Sequence, residues 1–393
     1  MTGEALDIAV GVWSHVSGST WQRLTRIDRW SSLSYDMRHL QPGPWSLSMA
    51  YGDGGQADKI QKTSLLTFDA RGQRYTGAVE TRGYSSDATT GKPILDVSGL
   101  DAMALLGDPL MYPVPTASLD AQTSAYYVAS GAGETVIGDA IRANMNRLYQ
   151  GGLFQVALSA SQGRGGNVNL HQRFTPLLQL VADKAGIAGL GVRIGLTAAS
   201  LTSTFADLTC EFYVPRDQSA RVKLSQKAGT LRSWSQSDNA PTVTRPVAAG
   251  GGKLTARVFR QAVVASDAEA EWGRRKEVFL DARDTSDPAT LDERAQSSVN
   301  DGAEQSSFDL ESAEAAGMRF GDHFVTGDSV TIQLLTGLSK VDRLNSIVIT
   351  ADGSGRSVQP RPGNPDGTSP LFGQSAITRG IAKGLRGLQQ EES

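Results

Sequence analysis

The chain has 393 residues, 39% hydrophobic and 20% charged, which gives room for about two to four domains of roughly 100–200 residues and is too apolar for a disordered polymer. Thirty-eight basic and 41 acidic residues leave a net charge of −3. No segment concentrates the basic charge that holds nucleic acid by counterion release, although a near-neutral lining lets nucleic acid slide past. A single cysteine, Cys210, excludes an intrachain disulfide and a cysteine-rich metal site.

Glycine supplies 43 residues, about 11% against the usual ~7%, mostly between short apolar runs, as in a strand-rich chain with many turns. Glu4 and Asp7 stand where an export signal is basic, and no run of ~18 apolar residues is present. The expectation is a chain made and kept soluble in a cytoplasm, with no membrane partner.

In chain order, residues 1–19 read as an N-terminal arm and 20–115 as a β-rich domain. Trp45, Leu47 and Met49 alternate with Ser46 and Ser48, the period of a half-buried strand, after a rigid Pro42-Gly43-Pro44 turn. Ser64 to Phe68 and Tyr75 to Thr81 flank Asp69-Ala70-Arg71-Gly72, a hairpin signal. Ile94 to Val97 predicts a further strand, and Asp101 a cap for a short helix over Ala102 to Leu106.

A Pro-, Ser- and Ala-rich connection over 111–133 opens an α/β unit at 116–215. Its first helix spans about Glu134 to Tyr149, with Ile137, Ile141, Met145 and Leu148 on one face. The second has Thr175 placed to cap, Pro176 at its first position, Leu177, Leu178 and Val181 as a stripe, and Gly186 as its stop. Leu153 to Leu158 and Leu208 to Val214 read as strands.

Residues 216–352 return to β. Arg221 to Leu224, Arg257 to Val264, Phe308 to Leu310, Val330 to Leu335 and Leu344 to Thr350 are the strands, and Asp287-Pro288 starts a helix with Leu291, Ala295 and Val299 four apart. Residues 353–374 read as a Pro/Gly linker without a core. Over 375–393, Ile377, Ile381, Leu385 and Leu388 make an amphipathic stripe interleaved with Arg379, Lys383 and Arg386. Either it frays, or it docks in a partner groove that offsets the cost of Gly380, Gly384 and Gly387, about 1 kcal/mol each in a helix.

Chemistry is sparse. His15, His39, His171 and His323 are far apart and lack ligand spacing, so each reads as a surface or interface residue. No Gly-x-Ser-x-Gly elbow is present. The glycine-rich Gly163–Asn167 stretch lacks the lysine and hydroxyl of a phosphate loop and reads as a connection. Asp281, Asp284 and Asp287 raise calcium, but without EF-hand spacing, and Asp287 has a simpler task as a helix cap. Trp13, Trp21, Trp30, Tyr35 and Trp45 are either core and interface packing or a platform for sugars. No cofactor, metal or catalytic residue is expected.

Three stretches carry a resemblance: Leu33-Ser34-Tyr35 with Gln41 to Leu47; Tyr75 to Glu80 with Val97 to Asp101 and Leu105-Leu106; and Arg274 to Ala282, the helix after Asp287, and Gly327 to Val330. Spread over about residues 20–350, they resemble a family of minor tail proteins from long-tailed phages of actinobacteria, related in fold to the tail-tip or baseplate hub of other tailed phages. The resemblance implies an α+β, mainly β hub with two tube-like β-barrel domains and an α/β insertion. It also implies a homotrimer in the virion that joins the distal tail protein or tail tube to tip or receptor-binding proteins, with phage DNA passing through. It implies no enzyme. A receptor- or carbohydrate-binding module is the alternative.

Overall fold

A computed structural model describes residues 7–363 apart from 53–54, 87–90, 199, 201, 313–317, 335–336 and 338. The expected docking residues Ile377, Ile381, Leu385 and Leu388 lie outside the described residues.

The chain opens with β1 (Ile8–Ser17) and β2 (Thr20–Ile27), an antiparallel pair turned at Gly18. From residue 8 the expected arm is a sheet strand instead. It pairs with β2 on one side and with β5 (below) on the other, and Val10, Val12 and Trp13 are buried because both of its faces are covered. β3 (Ser32–Arg38) and β4 (Pro44–Ala50) follow, and β4 buries Trp45, Leu47 and Met49 as the alternation requires. Between them only glycine fits at Gly43, where a Cβ would lie 1.7 Å from the Asp36 carbonyl oxygen. β5 (Leu65–Ala70) and β6 (Gln73–Ser86) form the expected hairpin. Arg71 and Gly72 both take positive φ, the two-residue turn whose twist matches that of the strands. β7 (Pro93–Asp101) ends at the expected cap, with the Asp101 carboxylate accepting from the Met103 N–H at the start of a short 3-10 turn.

The α/β unit contains β8 (Tyr127–Ala132), α1 (Gly133–Tyr149), β9 (Ala157–Leu158), β10 (Asn167–Gln172), α2 (Leu177–Ala188), β11 (Gly191–Thr197) and β12 (Phe205–Tyr213). α1 buries Ile137, Ile141 and Met145, but Leu148 is exposed. Three signals for α2 are corrected, the first being Pro176, which stands just before the helix with an extended ψ of 129° rather than at its first position. Thr175 makes no cap, because its hydroxyl donates to the Gln172 side chain. Gly186 lies inside the helix, which runs on until Gly189 takes the left-handed conformation that glycine adopts without strain. Of the strand expected over Leu153 to Leu158, only two residues pair.

β13 (Lys223–Ser225) and β14 (Leu231–Asn239) lead to a small unit of β15 (Arg245–Ala249), β16 (Phe259–Arg260), α3 (Ser266–Trp272), β17 (Glu277–Asp281) and α4 (Pro288–Asp301). Only Phe259 and Arg260 of the expected Arg257–Val264 strand are paired. α4 is built as read, with the Asp287 side chain accepting from the Thr290 N–H at 2.8 Å and Pro288 in the first turn. β18 (Gln305–Ser312), β19 (Ser329–Gln333), β20 (Ser339–Asp352) and β21 (Gly355–Pro362) complete the described chain. β21 falls within the expected linker. It pairs along β20 and buries Val358, and as a strand bonded on one side it tolerates Pro360 and Pro362.

Fourteen strands belong to one sheet, in the order β11-β12-β2-β1-β5-β6-β7-β4-β3-β20-β19-β13, with β9 and β21 attached to β12 and β20. The mainly β expectation holds, but no closed barrel is found among the described strands. The sheet curls until β11 meets β6 without forming a ladder. Side chains bridge the gap: the Leu196 N–H donates to the Thr76 hydroxyl at 3.0 Å, and Arg74 donates to the Leu196 carbonyl at 3.2 Å. β3 and β20 pair directly, so strands from both expected β domains share this sheet. Two cores result. One is centred on Tyr35, Trp45, Phe68, Phe320 and Ile347, and the other lies between the sheet and α1 and α2 around Trp13, Trp21, Ile141 and Val181.

Candidate interaction surface

Among the described residues, the small unit at 245–301 has the smallest apolar core. Its sheet, in the order β16-β15-β17, has α4 on one face, with a core of only Ala248, Ala282 and Leu291. The opposite face is only partly covered by the other described residues. Val247 is in register with Phe279 and Ala249 with Phe259, which places both phenyl rings on that face, 40% and 56% exposed. Leu254 beside it is 81% exposed. A cluster of this kind marks contact surfaces more often than free ones.

Local backbone chemistry builds this face. Gly252 takes a φ of +106°, and a Cβ there would come within 2.3 Å of the Ala256 carbonyl oxygen, so the loop after β15 doubles back tightly. That return delivers Arg257, whose guanidinium donates to the Ala249 and Gly250 carbonyls at 3.0 Å each and to the Asp281 carboxylate. The same group lies 5.9 Å from the Phe259 ring centroid and 5.4 Å from that of Phe279. Its side chain is only 8% exposed, so it works as a buried tie between strands. On the flank, Arg245 and the Thr244 hydroxyl donate to Glu269 of α3, and chiefly the Arg245 bond pulls the Glu269 carboxyl down to about 2.

The seam with the α/β unit is polar. Lys184 of α2 meets Glu293 of α4 at 2.6 Å, and the Asn169 N–H donates to the same carboxylate at 3.0 Å. His171 of β10 contacts Asp284 at 3.1 Å and stacks on Tyr126, while Arg294 donates to Asp284 and to the His171 carbonyl. Burial first, and then Asp301, pushes the Asp183 carboxyl up to about 7, and burial raises Asp301 to about 6.

These contacts answer several sequence questions. Asp281 and Asp284 are spent on arginines and Asp287 on its helix, and no cluster able to hold a metal ion is found among the described residues. The glycine-rich loop is pinned internally: the Arg164 N–H and guanidinium both donate to Glu134 in the first turn of α1. His39 is a correction, being buried against the Tyr213 hydroxyl at 2.9 Å. Trp13, Trp21, Tyr35 and Trp45 are at most 3% exposed, which leaves no stacking platform among those four. Burial, with Glu211 adding to it, pushes the Cys210 thiol up to about 12, so it is inert packing. Arg257, Phe259 and Phe279 as a cluster escaped the sequence reading, although Arg274 to Ala282 had stood out as a stretch.

This mainly β fold matches those of solved phage tail proteins. The crystal structure of the prophage MuSo2 43 kDa tail protein from Shewanella oneidensis matches over 92% of this chain and 99% of its own, with a TM-score of 0.55 at 15% identity. A tail protein from Neisseria meningitidis MC58 matches over 91% and 96%, with a TM-score of 0.54 at 12% identity. The chain itself belongs to the family described as Siphovirus ReqiPepy6 Gp37-like protein, whose model matches residues 10–364. Among curated proteins none is significantly similar.

Proposed function

We propose that this protein is a tail-tip hub subunit of a long-tailed phage of actinobacteria, working as a homotrimer without catalysis. It joins the distal tail protein or tail tube to tip or receptor-binding proteins and surrounds the path of the exiting DNA. The supporting observation is the match at both scales: the family model covers residues 10–364, and two tail proteins correspond to this chain over nearly their whole length. The partly covered aromatic face of the small unit adds a surface that assembly would cover. A heterologous contact closed by threefold rotation would put curled sheets from three copies around one axis. The competing carbohydrate-binding reading loses its main support, since four of the five aromatic residues it needs are core.

The test is mass and place. Light scattering on the purified protein should give three 41.7 kDa chains, about 125 kDa, and labelled copies should decorate only the tail tip. A stable 41.7 kDa monomer, or label along the tail shaft, would overturn the reading.

A further inference from the structure

Resting on the tail-tip reading, we propose that the outer edge of β17 is a strand-addition site for another tail protein, one that supplies an apolar extended segment ending in a carboxylate. Strand β17 pairs with β15 alone among the described residues. The Lys276 carbonyl accepts from the Arg245 N–H at 2.9 Å, and the Ala282 N–H donates to the Ala249 carbonyl at 2.7 Å. Backbone groups alternate sides along a strand, so Val278 and Leu280 also face β15, while Glu277, Phe279 and Asp281 point their N–H and C=O groups outward. Exposed donors and acceptors in this row template another strand unless something blunts them. β17 has no proline, and its register with β15 is unbroken. The contrast is β21, where prolines remove donors.

Two observations choose the occupant. Immediately before β17 stand Arg274, Arg275 and Lys276; the Arg275 side chain is 74% exposed and only 3.6 Å from a Glu269 already held by Arg245. An incoming strand with a carboxylate at that end gains charge complementarity, and an apolar side chain on it would continue the Phe259–Phe279 face. A second β17 does not fit: antiparallel pairing about Phe279 sets Glu277 opposite Asp281, like charges face to face. The acidic strand β18 of another copy is already paired with β14 and packed against β21.

The experiment compares amide exchange at Glu277, Phe279 and Asp281 in the isolated protein and in purified phage tails. Fast exchange in isolation and about 100-fold slower exchange in tails is the expected result. Protection already present in the isolated oligomer would mean that a second copy covers the edge, and would overturn the proposal. Fast exchange in both would overturn it as well. In tails carrying Arg274→Glu/Arg275→Glu, exchange should return toward the isolated rate, and undiminished protection would refute the carboxylate-bearing partner. A thermal melt matching wild type verifies that the variant folds; should it not fold, the wild-type comparison decides alone. The hub reading fails separately, on mass or on position in the tail.

Discussion

Removing the Glu293 carboxylate should loosen the seam between the α/β unit and the small unit. Among the described residues, Glu293 accepts from two donors on the other side, the Lys184 ammonium at 2.6 Å and the Asn169 N–H at 3.0 Å. The Lys184 and Glu293 side chains are only 7% and 10% exposed. Glu293→Ala therefore strands a buried ammonium, at about 3–5 kcal/mol, and an amide donor, at about 1–3 kcal/mol. Water entering the space left behind and the neighbouring Asp183 offset part of this. Asp183 is a poor substitute, since its carboxyl is raised to about 7. A net loss of about 3 kcal/mol follows, roughly a hundredfold in the opening equilibrium. Urea unfolding read together with amide exchange in β10, α2 and α4 measures it. The double change Lys184→Met/Glu293→Leu should recover most of the loss, because it removes the charge along with its partner. If Glu293→Ala shifts stability by under about 0.5 kcal/mol and leaves seam exchange unaltered, the reasoning about this pair is wrong.

The same seam sets a pH dependence. Asp183 and Asp301 titrate near 7 and 6 folded, above the ordinary carboxylate value of 3.8, so their contribution is fully present below about pH 4 and is lost as pH rises through 6 to 7. Asp101, raised to about 7 chiefly by burial, acts in the same direction. The melting temperature should rise from pH 8 to pH 5 and Asp183→Asn should flatten the rise; a fall over that window in the wild type would contradict the assignment. Gly77→Ala should cost about 2–5 kcal/mol, since its Cβ would sit 2.3 Å from the Trp45 indole nitrogen, which donates to the Ala78 and Leu100 carbonyls. Denaturant midpoints check it, with a near-neutral result as the refuting outcome. Trp21→Ala should lower stability by about 3–5 kcal/mol; a folded variant of wild-type stability that no longer binds isolated host cell wall would revive the carbohydrate reading. Deleting residues 375–393 should leave the trimer intact and block recruitment of a downstream tip protein; normal tails from that deletion would dismiss the docking stripe of Ile377, Ile381, Leu385 and Leu388.

Local chemistry was legible and long-range pairing was not. The Asp69–Gly72 hairpin, the Asp101 and Asp287 caps and the buried stripe of α1 each follow from a few adjacent residues. Gly186 misled because a glycine inside a helix and one that ends it look alike in sequence, whereas Gly189 alone has the positive φ. Pro360 and Pro362 suggested a linker because proline is rare in strands, yet an edge accepts them. The aromatic cluster was ambiguous, since burial depends on what covers the second face of β1, and that cover comes from helices more than a hundred residues later. The candidate surface was hidden for the same reason. Phe259 and Phe279 share a face beside Arg257 only because β15 pairs with β16 on one side and, in parallel, with β17 on the other.

The pairing of β3 with β20 also governs how the molecule is made. Ser32–Arg38 waits for Ser346–Asp352, about 300 residues later, so the sheet stays unfinished through most of translation. At cellular synthesis rates that interval is roughly 15–60 s, during which one flank of β3 is a bare template on the ribosome. Slow closure of this kind penalises premature contact between nascent chains. Truncation just before β20 should yield an insoluble fragment, recovered in the pellet, even though the early strands are all present.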